Sequence, residues 1–409
     1  MPRKGLLAVV GSSVAIFWPG SLIFGFPGVM GPYWRELFGV GRGPIGNILF
    51  FVLAAVGIFM FLVGSWQEKV GPKGMMTTGA VICGLDLLLL VLTKALYVLY
   101  LWAFLMGAAS CFIYIPALTV VQRWFPSRRG LVSGIVNMVF GLSAAIMSPV
   151  FGWMLRSLGY AAMNLLLAFL ALAVGVIASR LVEVPEGVVL PRGVPTRMRS
   201  LTLKESLRTR SFWLLWTTWA LQGAAGIAMV TLSTAFGISR GFSMAGAVLI
   251  LTAFNITNGL SRLLAGYLSD IVGRNSTMSA TFFAAAAAYF LLPHVASLAL
   301  SAVLAAVIGF AFGTLFAVSA PLVSDCFGLE HFGVIFGLIF TAYGFVSGAI
   351  GPSLSGYILD ATGGNFTLVL SYLGLFSTAS GLLIRFVTPP EVPTVATKKN
   401  GMEEYNPRR

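Results

Sequence analysis

Ala245 to Arg274 reads AGAVLILTAFNITNGLSRLLAGYLSDIVGR, an apolar stretch of membrane-spanning length with one arginine, Arg262, set inside it. An arginine at bilayer depth costs about 2.5 to 3.5 kcal/mol on insertion scales, and such residues face a bundle interior or a wet cavity. Thr252, Asn255, Asn258, Gly259, Arg262 and Gly266 recur at steps of three and four, so a helix aligns them in one polar, small-residue stripe. The stripe reads as a cavity wall carrying one fixed cation. Two readings are open: a structural arginine paired with a group on a neighbouring helix, or a binding site for an anion. The scarcity of intramembrane acids favours the second.

Composition sets the setting for that helix. The 409 residues are 58% hydrophobic and 10% charged, with mean hydropathy +0.92, which excludes a soluble globular domain. The chain is expected to be an all-α polytopic membrane protein held in a lipid bilayer. Its 26 basic residues outnumber 13 acidic ones, yet they sit in short gaps between apolar runs, so nucleic acid is not an expected partner. Cys83, Cys111 and Cys326 lie within or beside apolar runs without CxxC spacing, and His294 and His331 lie near segment ends. Neither disulfides, a metal site nor a cofactor is expected. No HExxH, GxSxG elbow or histidine cluster occurs, which argues against a membrane-embedded enzyme.

Twelve segments are long enough to span the hydrocarbon: Leu6 to Tyr33, Gly43 to Trp66, Gly74 to Leu92, Tyr97 to Val121, Gly130 to Leu155, Tyr160 to Val182, Phe212 to Ser239, Ala245 to Ile271, Met278 to Leu292, Leu298 to Val323, Phe332 to Leu359 and Phe366 to Arg385. The basic start MPRKGLLAVV has a signal-peptide look, but the apolar run continues past Pro27 without a small-residue cleavage site and reads as the first helix. With the N-terminus inside, 20 of the 26 basic residues fall on the cytoplasmic side, five fall outside (Arg35, Arg42, Lys94, Arg156 and Arg240), and the last is Arg262. Both termini are therefore expected in the cytoplasm. Of the acidic residues only Asp86 falls well inside a span.

The longest interruption, Glu183 to Arg210, carries Pro185, Pro191, Pro195 and six basic residues. It divides the chain into an N-terminal six-helix bundle (1–182), a cytoplasmic linker (183–210), a C-terminal six-helix bundle (211–387) and a cytoplasmic tail (388–409). The bundles resemble each other in sequence. GSWQEKVG at Gly64 to Gly71 and GYLSDIVG at Gly266 to Gly273 stand 202 residues apart, and Gly130, Gly134, Gly141 and Pro149 recur 203 residues later as Gly333, Gly337, Gly344 and Pro352. A duplication into two pseudo-symmetric halves follows.

Twelve helices in two parallel halves with a basic linker resemble the major facilitator superfamily, whose halves rock about a midplane site. Its loop between helices two and three, roughly G-x-x-x-D-R-x-G-R-R/K, is matched by Gly64, Glu68, Lys69, Gly71 and Lys73, and again by Gly266, Asp270, Gly273 and Arg274. The acids and bases of these turns, Glu68, Lys69, Asp270 and Arg274, are read as gating structure, together with Arg128 and Arg129. Those two arginines belong to WFPSRRGLVSG at Trp124 to Gly134, which is similar to the YFxKRRxLAxG pattern of the monocarboxylate transporters and their oxalate/formate antiporter relatives. Phe26 and Pro27 followed by Trp34, Arg35 and Glu36 resemble those transporters' first-helix stretch, and Asn258 with Arg262 stands where they carry D-x-x-x-R.

The departures narrow the substrate. Gly28 replaces the lysine that commonly follows the first-helix proline, Asn258 replaces the acid before the arginine, and Phe332 to Leu359 holds no second cation. One buried cation balances one negative charge, so a monoanion such as L-lactate, pyruvate or a short fatty acid is expected. An arginine fork suits a carboxylate through two parallel hydrogen bonds. The repeat places Phe316 opposite Tyr114, two aromatics to close over a small tail, with ordinary helix packing as the plainer explanation of each. It also maps Arg262 and Asn258 onto Met60 and Val56, so the N-terminal face of the site is expected to be apolar. Gly20, Gly25, Pro27 and Gly28 are candidate bends in the first helix, with close packing as the alternative.

The resemblance implies proton symport, for which Asp86 is the candidate carrier, with the substrate's own carboxyl as the other route. The expectation is a monomeric plasma-membrane symporter of short monocarboxylates working by alternating access, or alternatively an exchanger for formate or small dicarboxylates such as oxalate.

Overall fold

The computed structural model describes residues 3–92, 95–125, 129–185, 200–328 and 331–390. These contain twelve helices long and apolar enough to cross a membrane, and they pack as two pseudo-symmetric six-helix bundles. The first helix runs Arg3–Phe24 and continues as Phe26–Phe38. It is followed by Arg42–Val70, Pro72–Leu85 with Leu87–Leu92, Leu96–Trp124, Arg129–Leu158 and Tyr160–Arg180. The second half comprises Arg210–Ser239, Met244–Val272, Arg274–Leu291, Leu298–Phe327, the composite Phe332–Ala361 and Phe366–Leu383. Helices suit this sequence because a bilayer offers no hydrogen-bond partners, so each span must satisfy its own backbone.

Several helices outrun the hydropathy signal. The second continues past Trp66 to Val70, and the ninth starts at Arg274 rather than Met278. Hydropathy marks the hydrocarbon thickness, whereas backbone pairing carries a helix on into the headgroup region. Three helices are interrupted. The first breaks at Gly25, where Pro27 follows without an N–H to give. The third breaks at Asp86. The eleventh widens into π-type turns over Ala342–Ser347 and Ala349–Ser353, the second of which contains Pro352. Among the first-helix glycines, Gly20 and Gly28 are packing positions: an added Cβ would lie 2.3 Å from the Phe140 carbonyl oxygen or 2.1 Å from that of Val230.

The duplication is visible in the backbone. The repeated turns end at Gly71 and Gly273, with φ of +80° and +98°, a region that favours glycine. Midway along the spans, a Cβ on Gly141 would lie 2.6 Å from Cα of Gly259, and one on Gly344 would lie 2.7 Å from Cα of Gly57. The fifth helix thus crosses the eighth, and the eleventh crosses the second, through the same glycine contact.

We call the end carrying Gly71 and Gly273 the linker end, and the opposite end the far end. At the far end the halves are joined. The Asp360 carboxylate accepts hydrogen bonds from the backbone N–H groups of Arg42 and Gly43, each at 2.8 Å, and Asn47 donates to the Tyr357 hydroxyl at 3.0 Å. Deeper in, Asn255 donates to the Phe24 carbonyl at 3.1 Å. At the linker end Gly266, Gly333 and Gly337 meet nothing within 4 Å. Residues 186–199 of the linker and 391–409 of the tail lie outside the described residues.

Candidate functional site

Arg262 sits on the eighth helix and is 4% exposed. Its guanidinium carbon lies 4.5 Å from the ring centre of Phe316, 5.4 Å from Phe140 and 5.8 Å from Phe24. Such cation–π contacts offset part of the cost of burial, about 2 kcal/mol each where water is excluded. None of its three guanidinium nitrogens has a hydrogen-bond partner, and among the described residues it forms no ion pair. The structural-arginine reading required a partner on a neighbouring helix; among the described residues the three rings are there, and no acid or hydrogen-bond acceptor is.

Other unsatisfied groups accompany it. Asn258, one turn earlier, is fully buried with neither side-chain atom bonded, and the Tyr343 hydroxyl is likewise without a partner. The Arg262 charge acts on the hydroxyls of both Tyr343 and Tyr114. Tyr114 is anchored on its own half by donating to Asn137 Oδ1 at 2.6 Å. Buried polar groups left unbonded in a native fold mark strain, function or an absent ligand. Here three donor-bearing side chains, Arg262, Asn258 and Tyr343, are in that condition.

Beside these groups lies a cavity of about 40 Å³ whose lining includes Phe24, Val56, Met60, Tyr114, Phe316 and Tyr343. A water site needs roughly 10–15 Å³ on this measure, so the space holds a few heavy atoms in this conformation. Val56 and Met60 are the repeat images of Asn258 and Arg262, and both contribute apolar wall. The charge is therefore carried by one half and the apolar cover comes largely from the other. Tyr114 and Phe316 both line the cavity, from opposite halves.

No residue of the eighth-helix stripe is in the cavity lining; Arg262 stands behind it, against Phe24, Phe140 and Phe316, which are. Asn255 is committed to the Phe24 carbonyl, and Gly259 packs against Leu142 and Gly141 as part of the helix crossing. Within the stripe, Asn258 and Arg262 are left as the site pair. Asp86 is buried, with both carboxylate oxygens unbonded among the described residues, but it does not line this cavity. Phe140, Tyr343 and Phe24 escaped the sequence reading. The first two are themselves repeat images, 203 residues apart, so the signal existed for them.

The turn residues divide. Arg274 bonds Asp270 and donates to Ser269 Oγ at 2.7 Å, and its Nε lies 3.5 Å from Asp325. That network ties the eighth, ninth and tenth helices within one half. Lys69 is exposed. Arg128 lies outside the described residues, as do the side chains of Glu68 and Arg129.

Comparison with known proteins agrees with this architecture. The model of the Major Facilitator Superfamily matches residues 13–253 and 226–407. The chain is 28% identical over 331 residues to the oxalate:formate antiporter of Oxalobacter formigenes, covering 80% of this chain and 78% of that one. It is 26% identical over 395 residues to monocarboxylate transporter 13 of Rattus norvegicus, covering 91% and 87%. Among solved structures, a bacterial homologue of the human lysosomal transporter Spinster superposes with a TM-score of 0.68 over 94% of both chains at 13% identity. The twelve spans in two like halves, the repeated glycine turns and the whole-length match together make this chain a member of the major facilitator superfamily.

Proposed function

We propose that the protein is a secondary transporter of short monocarboxylates, with L-lactate the leading substrate, which it moves together with a proton by alternating access. Arg262 and Asn258 hold the carboxylate, and Tyr114 and Phe316 enclose the tail. The observation that carries the reading is Arg262 itself: a buried guanidinium fork with all its nitrogens unbonded among the described residues. A carboxylate would satisfy the fork through paired charge-assisted hydrogen bonds. One cation balances one charge, and the small cavity suits a short tail. The linker end is assigned to the cytoplasm, with both termini, and the membrane to the plasma membrane, on the strength of the basic residues. The chain works as a monomer in this reading, with the two halves as its moving parts.

The proton travels on Asp86, the one buried carboxylate among the described side chains, or on the substrate's carboxyl. Full pH-driven uptake by Asp86→Asn would select the substrate route. A second reading, exchange of formate or a small dicarboxylate such as oxalate, is favoured by the similarity to an oxalate:formate antiporter. It needs a second cation beside Arg262 for a dianion, and the cavity lining contributes no charged side chain.

The deciding experiment is uptake of labelled L-lactate into proteoliposomes under an inward proton gradient, with wild type and Arg262→Gln compared. Acid-driven uptake that vanishes in the folded variant is the expected result. Uptake untouched by the substitution would overturn the site. Uptake that requires internal anion, whatever the proton gradient, would turn the reading to exchange.

A further inference from the structure

A second cavity, of about 140 Å³, lies at the far end between the halves, distinct in its lining from the central one. Arg35, on the continuation of the first helix, and Arg42, at the start of the second, enter it from the N-terminal half. Thr231 and Ser239 of the seventh helix and Pro352 of the eleventh close it from the other. The Nε atoms of both arginines are buried without an acceptor, and neither guanidinium forms an ion pair among the described residues. The two charges repel each other across the space.

The nearby acids do not relieve that repulsion fully. Asp360 faces Arg42 electrostatically, but both its oxygens are engaged by the Arg42 and Gly43 backbone N–H groups. Glu36 is exposed. The Arg42 guanidinium instead lies 5.8 Å from the Phe366 ring centre. Two half-buried like charges with a space between them make a receptor for a small anion; the Thr231 and Ser239 hydroxyls opposite already donate to the Ala228 and Phe236 carbonyls and only complete the wall. The size agrees, since a cavity of about 150 Å³ holds benzene.

We propose that this pocket binds a small soluble carboxylate or comparable monoanion and that its occupancy favours closure of the far end. The cations belong to one half and the opposing wall to the other, so the complete pocket exists only while the halves meet there. An anion that binds the closed state better shifts the population toward it by its differential affinity. The inference does not depend on Arg262 being the transport site.

The test places spin labels on the full-length protein at Leu37→Cys and Ala361→Cys, exposed positions at the far end of the two halves. The native cysteines are buried and stay unlabelled. Acetate is titrated in neutral-lipid nanodiscs, with HEPES anion, too large for the cavity, holding ionic strength constant. The expected result is a shift toward the short distance in wild type and in Arg262→Gln. In Arg35→Gln or Arg42→Gln the acetate midpoint should rise about tenfold or more, while Arg42→Lys, which keeps the charge and guards against a folding defect, retains part of the response. Absence of an acetate shift in wild type would overturn the proposal, as would an unchanged midpoint in both glutamine variants. Loss of the response in Arg262→Gln alone would assign it to the central site and overturn the proposal too. So would a full shift produced by anionic lipid with no further response to acetate, which would make the occupant a headgroup.

Discussion

Asp360 offers the sharpest handle on the conformational balance. Its carboxylate on the eleventh helix receives two backbone N–H groups at the start of the second helix, both at 2.8 Å, across the junction of the halves. The contact joins two favourable terms, hydrogen bonds to an ionised acceptor and a negative charge at a helix N-terminus. The side chain is exposed, so both terms belong at the low end of their ranges. Asp360→Asn keeps one acceptor oxygen and loses the charge, which costs the closed far end about 1 kcal/mol, or about a fivefold change in the closed-to-open ratio. Asp360→Ala removes both acceptors and costs about 2 kcal/mol, close to a 30-fold change. The assay is the Leu37–Ala361 spin-label distance distribution in nanodiscs. The long-distance population should grow in the order wild type, Asn, Ala. An unchanged distribution in Asp360→Ala would show that the carboxylate does not hold this end and would refute the reasoning. The Asn47–Tyr357 bond remains in both variants, so neither should open the far end completely.

Further outcomes follow from the packing. Gly141→Ala places a methyl 2.6 Å from Gly259 Cα, where backbone cannot yield, and should lower stability by about 1 to 3 kcal/mol and slow transport; thermal unfolding and initial uptake rates check this. Tyr114→Phe removes the donor to Asn137 and leaves the ring, so stability should fall by only about 1 kcal/mol. A weakened apparent affinity for L-lactate, with the maximal rate kept, is expected if the hydroxyl meets substrate.

The fold was legible because a bilayer imposes a coarse code. Apolar length marks each span, and basic gaps mark the loops. The duplicated glycines were legible as well, since Gly71 and Gly273 hold a backbone conformation that disfavours other residues. The bends were only partly so. Pro27 and Pro352 signal interrupted helices by lacking a donor, but the break at Asp86 has no such mark. Arg262 stood out because a charge in an apolar run is rare. The rings around it did not, because Phe24 and Phe140 are two phenylalanines among 32, and only three-dimensional packing distinguishes them. The contact of Asp360 with Arg42 and Gly43 spans more than 300 residues, and no local pattern announces it.

The glycine crossings have a mechanical consequence. Gly57 and Gly259 each stand at the sixteenth position of a 29-residue helix, so each helix is a lever with nearly equal arms, 15 and 13 residues, about its crossing point. The arms measure about 20 Å at 1.5 Å per residue. A rotation of about 15°, a size that rigid-body subunit rotations reach, swings each tip by about 5 Å in opposite senses. In a rocking motion of this kind, what closes one mouth would open the other by a similar amount, with backbone meeting backbone at each pivot and the flanking Leu142 and Phe345 side chains left to yield.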